Sequence, residues 1–356
     1  MIKIALDLLG ADTSEEELCL GALDAIKEKD GLSLILYGHK EKLAPIVAAS
    51  GADTDRIIIE DCHTTVTNYD SSITAYTQSE ASICRAMKAA ADREDIHGVV
   101  TCGSTGAVLV SSIMILGKIK GMRPVLAVEL KNMEGKPLLL LDCGANIDSR
   151  AELLVTFAHI GDSYMRSIGY ANPRISLLSN GAEDTKGCES VKEANKLLKE
   201  AREKSLGALN FIGNIEATGA LLGFTDVIVC DGFHGNIMLK CIEGTAKAAL
   251  DEARDKLTSS MTAISESMGI AGDADSKKGE YCKKIREAVL GAIADVRRKY
   301  DYNTQGGAVL IGANKLVMKG HGSATGEAVK NMLLRIYTLA ENDFVGKIRT
   351  IYDRNK

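Results

Sequence analysis

A chain of 356 residues, 46% hydrophobic and 26% charged, can bury a large core and has the length of two domains or of one large α/β domain with an appended lobe. A net charge of −5 leaves no basic footprint for nucleic acid. Nine cysteines, odd in number and without C-x-x-C spacing, argue against a disulfide framework or zinc ribbon and suit reduced thiols in the cytosol.

The opening "MIKIALDLLG" reads as a strand rather than a basic head with an apolar signal core, and no apolar run is long enough to cross a membrane. Ser14 can cap a helix from there to Lys29, followed by strand "LSLILYG", a helix around 40–50 and strand "RIIIED". Residues 71–92 read as helix, "GVVTCG" as strand and 104–120 as helix. "PVLAVEL" and "KPLLLLDCG", joined by "KNMEGK", form a hairpin near 124–142, an antiparallel exception read as an arm. A helix at 150–169, strand "RISLLSN", helix 187–204, strands "LNFIGN" and "DVIVCDG", and a helix at 235–257 follow. Residues 259–280, rich in Ser, Ala, Gly and Asp, read as a loose excursion between two helices, and "GGAVLIGAN" and "VMKGHGSATGEAVKNML" lead into a final helix. Strands alternating with helices of this length predict right-handed crossovers and a mostly parallel sheet covered on both faces.

Polar, glycine-containing turns interrupt the apolar runs: "TCGSTG", "DCGANID", "SNGAEDTKG", "FIGNIEATG", "CDGFHGN" and "KGHGSATG". Most sit where a strand hands over to a helix, the place where open parallel sheets bind ligands and where free N–H groups attract anions. Together they point to an anionic or carbonyl-bearing substrate. Taken singly, each has a plainer reading: Asp142 and Asp231 as caps or turn formers, His234 and His321 as ordinary histidines, Lys186 as a solvated lysine. G-x-S-x-G, G-x-x-x-x-G-K-[ST] and, after the first strand, G-x-G-x-x-G are all missing, and no histidine or carboxylate spacing suggests a metal. Cys102, Cys143, Cys188 and Cys230 lie at these turns, but no histidine stands at a spacing that would make one of them a nucleophile.

The stretch "NFIGNIE…DVIVCDGFHGNIMLKCIEG" resembles the acyl-acyl-carrier-protein:phosphate acyltransferase family (PlsX), as do "IALDLLGAD", "GSTGAVL", "RPVLAV", "LDCGANID", "LLSNGAEDTKG", "GGAVLIG" and "KGHGSA". The resemblance implies a three-layer α/β sandwich similar to isocitrate and isopropylmalate dehydrogenases, a homodimer, and no cofactor or metal. It also implies a cytoplasmic enzyme that makes acyl phosphate from an acyl-carrier-protein thioester and inorganic phosphate, for phospholipid synthesis. The family motifs place catalytic weight on Lys186 and Asn236, with Asn214 and Asp231 orienting neighbours. Gly106, Asn146, Asn214, Asp231, Gly232, Gly235 and His321 are the expected substrate-binding set. Phosphate is itself the nucleophile in such a reaction, so the protein must bind an anion and stabilise an oxyanion, work that suits glycine N–H groups, an amide and a lysine.

The chain departs from the family pattern at Ala11, Ser104, Ala182 and Cys188, at Ala217-Thr218-Gly219, and in lacking a basic stretch before Ser71-Ser72. These departures leave open a relative using another thioester donor, such as a short-chain one. A non-catalytic binding relative and a dehydrogenase of the wider fold group are the other readings. Finally, "KKGEYCKKIREAVLGAIADVRRK" (277–299) carries eight Lys/Arg against three acids, with Ile285, Val289, Ala292, Ile293 and Val296 at helical spacing. It reads as a helix with one buried face and a basic flank, suited to an acidic carrier protein in preference to anionic lipid, although the family's peripheral membrane members keep membrane contact in view.

Overall fold

The apolar runs become strands and the amphipathic stretches cover them. β1 (Ile2–Asp7), β2 (Leu32–Gly38), β3 (Ile57–Asp61) and β4 (Ile96–Thr101) alternate with α1 (Glu15–Glu28), α2 (Lys40–Ala49), α3 (Ser82–Asp92) and α4 (Thr105–Ser111). Ser14 caps α1 by accepting the Glu17 N–H, with Glu15, Glu16 and Glu17 in the first turn and Lys27 in the last, as the helix dipole favours. After β5 (Val125–Lys131) and β6 (Pro137–Leu141) come α5 (Ala151–Ser167), β7 (Ile175–Leu178), α6 (Glu189–Lys204), β8 (Phe211–Ile215), β9 (Val227–Val229) and α7 (Gly232–Ser267). The chain ends with α8 (Lys277–Tyr300), β10 (Ala308–Ile311), β11 (Leu316–Lys319), α9 (Gly326–Glu341) and α10 (Phe344–Arg354). The computed structural model describes residues 1–67, 70, 76–204, 209–267, 277–301 and 306–354. The first residues of the expected 71–92 helix, with Ser71 and Ser72, and the middle of the loose stretch, with Met268 and Ile270, lie outside the described residues.

Among the described residues eleven strands form one sheet, ordered β3-β2-β1-β4-β11-β10-β5-β6-β9-β7-β8. Pairing is parallel from β3 to β11 and again from β6 to β8, and antiparallel across β11-β10, β10-β5 and β5-β6. The strands of the two parallel blocks therefore run in opposite directions. The carboxyl ends of β1, β4 and β11 lie at one edge of the sheet, and those of β6, β9, β7 and β8 at the other.

Three sequence expectations need correction, two of them here and one at α8 below. The 124–142 hairpin is not an arm: β5 and β6 lie in the interior of the sheet, and Leu138 through Leu141 are fully buried. An unbroken leucine run requires cover on both faces, which a solvent-bathed arm does not have. The loose stretch is helical as far as Ser267. Its hydroxyls bond back along the helix, Ser259 to the Asp255 carbonyl, Thr262 to Thr258 and Ser265 to Met261, so serine and threonine here do not compete for another backbone geometry.

The chain divides into two compact units, Met1–Asn236 with Asn303–Lys356, and Ile237–Tyr302. The first holds the sheet and one continuous core that includes Leu6, Leu34, Val100, Leu139, Phe157 and Leu333. The second contains most of α7 and all of α8, joined by Asp251, which accepts from Arg297 at 3.2 Å and from Arg254 at 3.3 Å. Here α8 lacks the buried face expected from its periodicity, since Ile285 and Val296 remain 42% and 43% exposed. Helical spacing reports a shared apolar stripe, not whether this chain covers it. Among the described residues no helix is long and apolar enough to cross a membrane.

Candidate active site

Four loops leave the carboxyl ends of the adjacent strands β6, β9, β7 and β8, and the first is built around a buried carboxylate. Asp142 Oδ1 accepts from the N–H groups of Leu126, Gly144 and Ala145, and Oδ2 from the N–H and side-chain amide of Asn146. Burial pushes this carboxyl up from its ordinary value, while the backbone and amide donors pull it back. Asn146 also donates to the Pro124 carbonyl at 2.8 Å, so one amide hydrogen fastens the loop to the residue before β5 and the other holds the Asp142 carboxylate.

The loop after β9 docks on this one. The Gly232 N–H donates to the Asn146 carbonyl at 2.6 Å. A Cβ at Gly235 would lie 1.9 Å from the Asp142 carbonyl oxygen. Both glycines are thus required by close packing, and the Gly232 N–H is already bonded rather than free for an anion. Asp231 caps α7: its Oδ1 accepts the His234 N–H at 2.9 Å, and its carboxylate holds His234 Nδ1 at 2.8 Å. The plainer reading of Asp231 as a cap therefore describes its geometry. One turn on, Asn236 is exposed, and among the described residues its side-chain amide has no hydrogen-bond partner.

Lys186 lies in the loop after β7, the strand beside β9. The Asn195 amide donates to Asn214 Oδ1 at 2.9 Å, and Asn214 Nδ2 donates to the Glu183 carbonyl at 2.9 Å. The Lys186 N–H donates to that same carbonyl at 3.0 Å. Asn180 Oδ1 accepts the Gly187 N–H at 2.9 Å, and Lys199 pairs with Asp184. The loop is fastened from several directions, yet the Lys186 ammonium itself is exposed and unpaired among the described residues. The Asn214 amide thus bridges Asn195 of α6 and the Glu183 carbonyl of the Lys186 loop. Sequence reasoning missed Asn195, Asn180 and the multiple bonds of Asp142. The legible signal for Asn195 was a buried amide within the apolar stripe of α6, next to Ala194 and one turn before Leu198.

Gly106 and His321 belong to the opposite edge of the sheet. Gly106 lies in the first turn of α4, whose N-cap Ser104 accepts the Ala107 N–H at 3.2 Å. Ser104 thus caps α4. His321 Nδ1 contacts Ser323 Oγ at 2.8 Å, and the Gly322 carbonyl accepts the Asp12 N–H at 2.7 Å. Beneath them the Asp7 carboxyl, buried with Thr101 Oγ1 at 2.8 Å, is raised to about 6 by desolvation. The six polar turns therefore form two groups rather than one convergent set. Three of the four thiols fit no nucleophilic role: Cys102, Cys143 and Cys230 are buried, and burial pushes Cys102 up to about 12 and Cys230 well above its usual value, whereas Cys188 is exposed, its Sγ 3.2 Å from Ser190 Oγ.

A family described as "Fatty acid synthesis protein" matches residues 2–347. The chain belongs to that family. It is 35% identical to a phosphate acyltransferase of Lysinibacillus sphaericus over 350 residues, covering 98% of this chain and 97% of that protein. Among solved structures it is similar to a phosphotransacetylase from Streptococcus pyogenes, with TM-score 0.58, 16% identity, and 96% and 94% of the two chains covered. It is also similar to 4-hydroxythreonine-4-phosphate dehydrogenase from Klebsiella pneumoniae, with TM-score 0.51, 12% identity, and 96% and 100% covered. The family fold is the expected one, a large, mostly parallel sheet flanked by helices. Within this family's frame, Lys186 and Asn236 follow neighbouring parallel strands, each with its polar group uncommitted.

Proposed function

We propose that this protein transfers an acyl group from the thioester of an acyl carrier protein to inorganic phosphate, releasing acyl phosphate for phospholipid synthesis. The observation that carries the reading is the pair of uncommitted groups, the Lys186 ammonium and the Asn236 amide, presented after adjacent strands in a chain of the phosphate acyltransferase family. A phosphate oxygen uses its lone pair to form the new C–O bond at the thioester carbonyl. The tetrahedral oxyanion then collapses, the C–S bond breaks, and the thiolate leaves and takes up a proton from solvent. Lys186 offsets phosphate charge, and Asn236 donates to phosphate or to the oxyanion; both act only when the groups are held in place beforehand. Gly106 and His321, expected in the same substrate-binding set, lie at the other edge of the sheet and have no part in this step. The exposed side chains of Ile237, Leu257, Ile264, Ile285 and Val296 suit a second copy of the chain in a cytoplasmic homodimer, and the basic residues of α8 suit the acidic carrier.

The test is release of acyl phosphate from carrier-bound and coenzyme A thioesters of several chain lengths in the presence of phosphate. Product from the carrier-bound donor at higher kcat/KM supports the reading. Product from a short-chain coenzyme A thioester alone replaces the donor, and no phosphate-dependent product with any donor removes the activity.

A further inference from the structure

The sequence "GKIKG" (117–121) has no part in the proposed reaction, and the structure holds it rigidly. Gly117 and Gly121 have φ of +72° and +83°, values open to glycine. Between them Ile119 is buried, its N–H bonded to the Gly312 carbonyl at 2.9 Å, while the Asn314 N–H donates to the Gly117 carbonyl at 3.0 Å. Alternation about the buried Ile119 turns Lys118 and Lys120 outward, and neither ammonium has a partner among the described residues. Two positive charges are thus fixed two residues apart on an anchored loop.

They line a cleft of about 780 Å³ together with Arg349, Lys315, His97 and Phe344. Arg349 is held through one terminal nitrogen, which donates to the carbonyl and side-chain oxygens of Asn314 at 3.3 Å, leaving the rest of its fork available. Lys315 is spent on the carbonyls of Arg93, Glu94 and Ile96. The Lys3 N–H donates to His97 Nδ1 at 3.2 Å, so its other ring nitrogen carries a proton to donate. The lining carries Lys118, Lys120, Lys315 and Arg349 against two carboxylates, Glu94 and Asp343, the second of which also accepts the Gly346 N–H at 3.3 Å as a cap. The excess of fixed positive charge calls for a ligand carrying more than one negative charge, and the volume is that of a small-molecule site, about 300–1,000 Å³.

We propose that this cleft is a second anion site, binding a small molecule that carries a phosphate group, separate from the loops of Lys186 and Asn236. A phosphate dianion can take both ammonium groups and the guanidinium fork.

Isothermal titration of the full chain with pyrophosphate and with ADP tests this, in wild type, Lys118→Glu/Lys120→Glu, Arg349→Gln and Lys186→Ala. Binding should persist in Lys186→Ala, weaken at least about tenfold in the other two variants, and fall with added salt. Phosphate-dependent turnover should be unchanged in Lys118→Glu/Lys120→Glu. Vesicles containing phosphatidate form a second arm: sedimentation that depends on Lys118 and Lys120 assigns the phosphate to a lipid head group, and pyrophosphate binding without sedimentation assigns it to a soluble ester. Binding that survives both cleft variants, binding lost only in Lys186→Ala, or no binding of any of the three probes overturns the proposal.

Discussion

The side-chain polar groups of Lys186 and Asn236 have no partner among the described residues, so an effect of replacing either on turnover can be told apart from an effect on stability. Lys186→Ala should lower phosphate-dependent turnover by about 10²–10³-fold, the scale for losing one donor to transition-state charge, with an unchanged thermal melt. Turnover within a few-fold of wild type would remove Lys186 from the site. For Asn236, the Ala variant should lower kcat more than it raises KM for phosphate, and the Asp variant should be at least as damaging because it sets a negative charge beside an anion. Full activity in Asn236→Asp would instead make the residue a helix-terminus former. Asn214→Asp conserves volume but turns an oxygen toward the Glu183 carbonyl in place of a donor. The displaced loop should cost about 10–100-fold in kcat/KM at pH 8, with native secondary structure retained in circular dichroism. An unchanged kcat/KM would show that the amide relay from Asn195 does not set the position of Lys186.

At the level of elements, the start of α7 and the loop after β6 behave as one part. The Asp142 carbonyl occupies the space that a side chain at Gly235 would need, and both sides of that contact are backbone. Gly235→Ala should therefore destabilise the protein by about 1–3 kcal/mol or more in urea unfolding, and activity should fall because Asn236 is the next residue. A change below about 0.5 kcal/mol would mean that the helix start shifts freely. Gly235 and Gly232 thus matter to the site by letting two loops touch, which differs from the anion-binding role that their residue type suggests.

Over the whole molecule, pH dependence reads the opposite edge of the sheet. Burial raises Asp7 to about 6, so the folded state holds its proton more tightly than the unfolded chain, whose Asp ionises near 4. A raised folded value means that this contribution is fully present below pH 4 and lost as pH climbs through 6. Over that window the wild type should lose up to about 3 kcal/mol relative to Asp7→Asn, which carries no such titration. Urea unfolding of both proteins between pH 4 and 7 measures the difference. Parallel stability profiles would show that the Asp7 carboxyl stays ionised in the fold.

Much of this architecture was legible in the sequence because its signals are local. The Ser14 cap, the strand runs and the Lys186 and Asn236 motifs depend on neighbours a few residues away, and the turns were correctly placed after strands. What periodicity does not carry is strand direction. The antiparallel β10, β5 and β6 reverse the second half of the sheet, and that reversal sends Gly106 and His321 to one edge and Lys186 and Asn236 to the other. The length of α7 was hidden because serine reads as a helix breaker until its hydroxyl bonds the preceding turn. The relay through Asn195, Asn214 and Glu183 was hidden for a similar reason, since its bonds span 19 and 31 residues. The sequence by itself determined which segments are strand, helix or polar turn; pairing between distant segments, which only the tertiary structure decides, determined which of those turns share an edge.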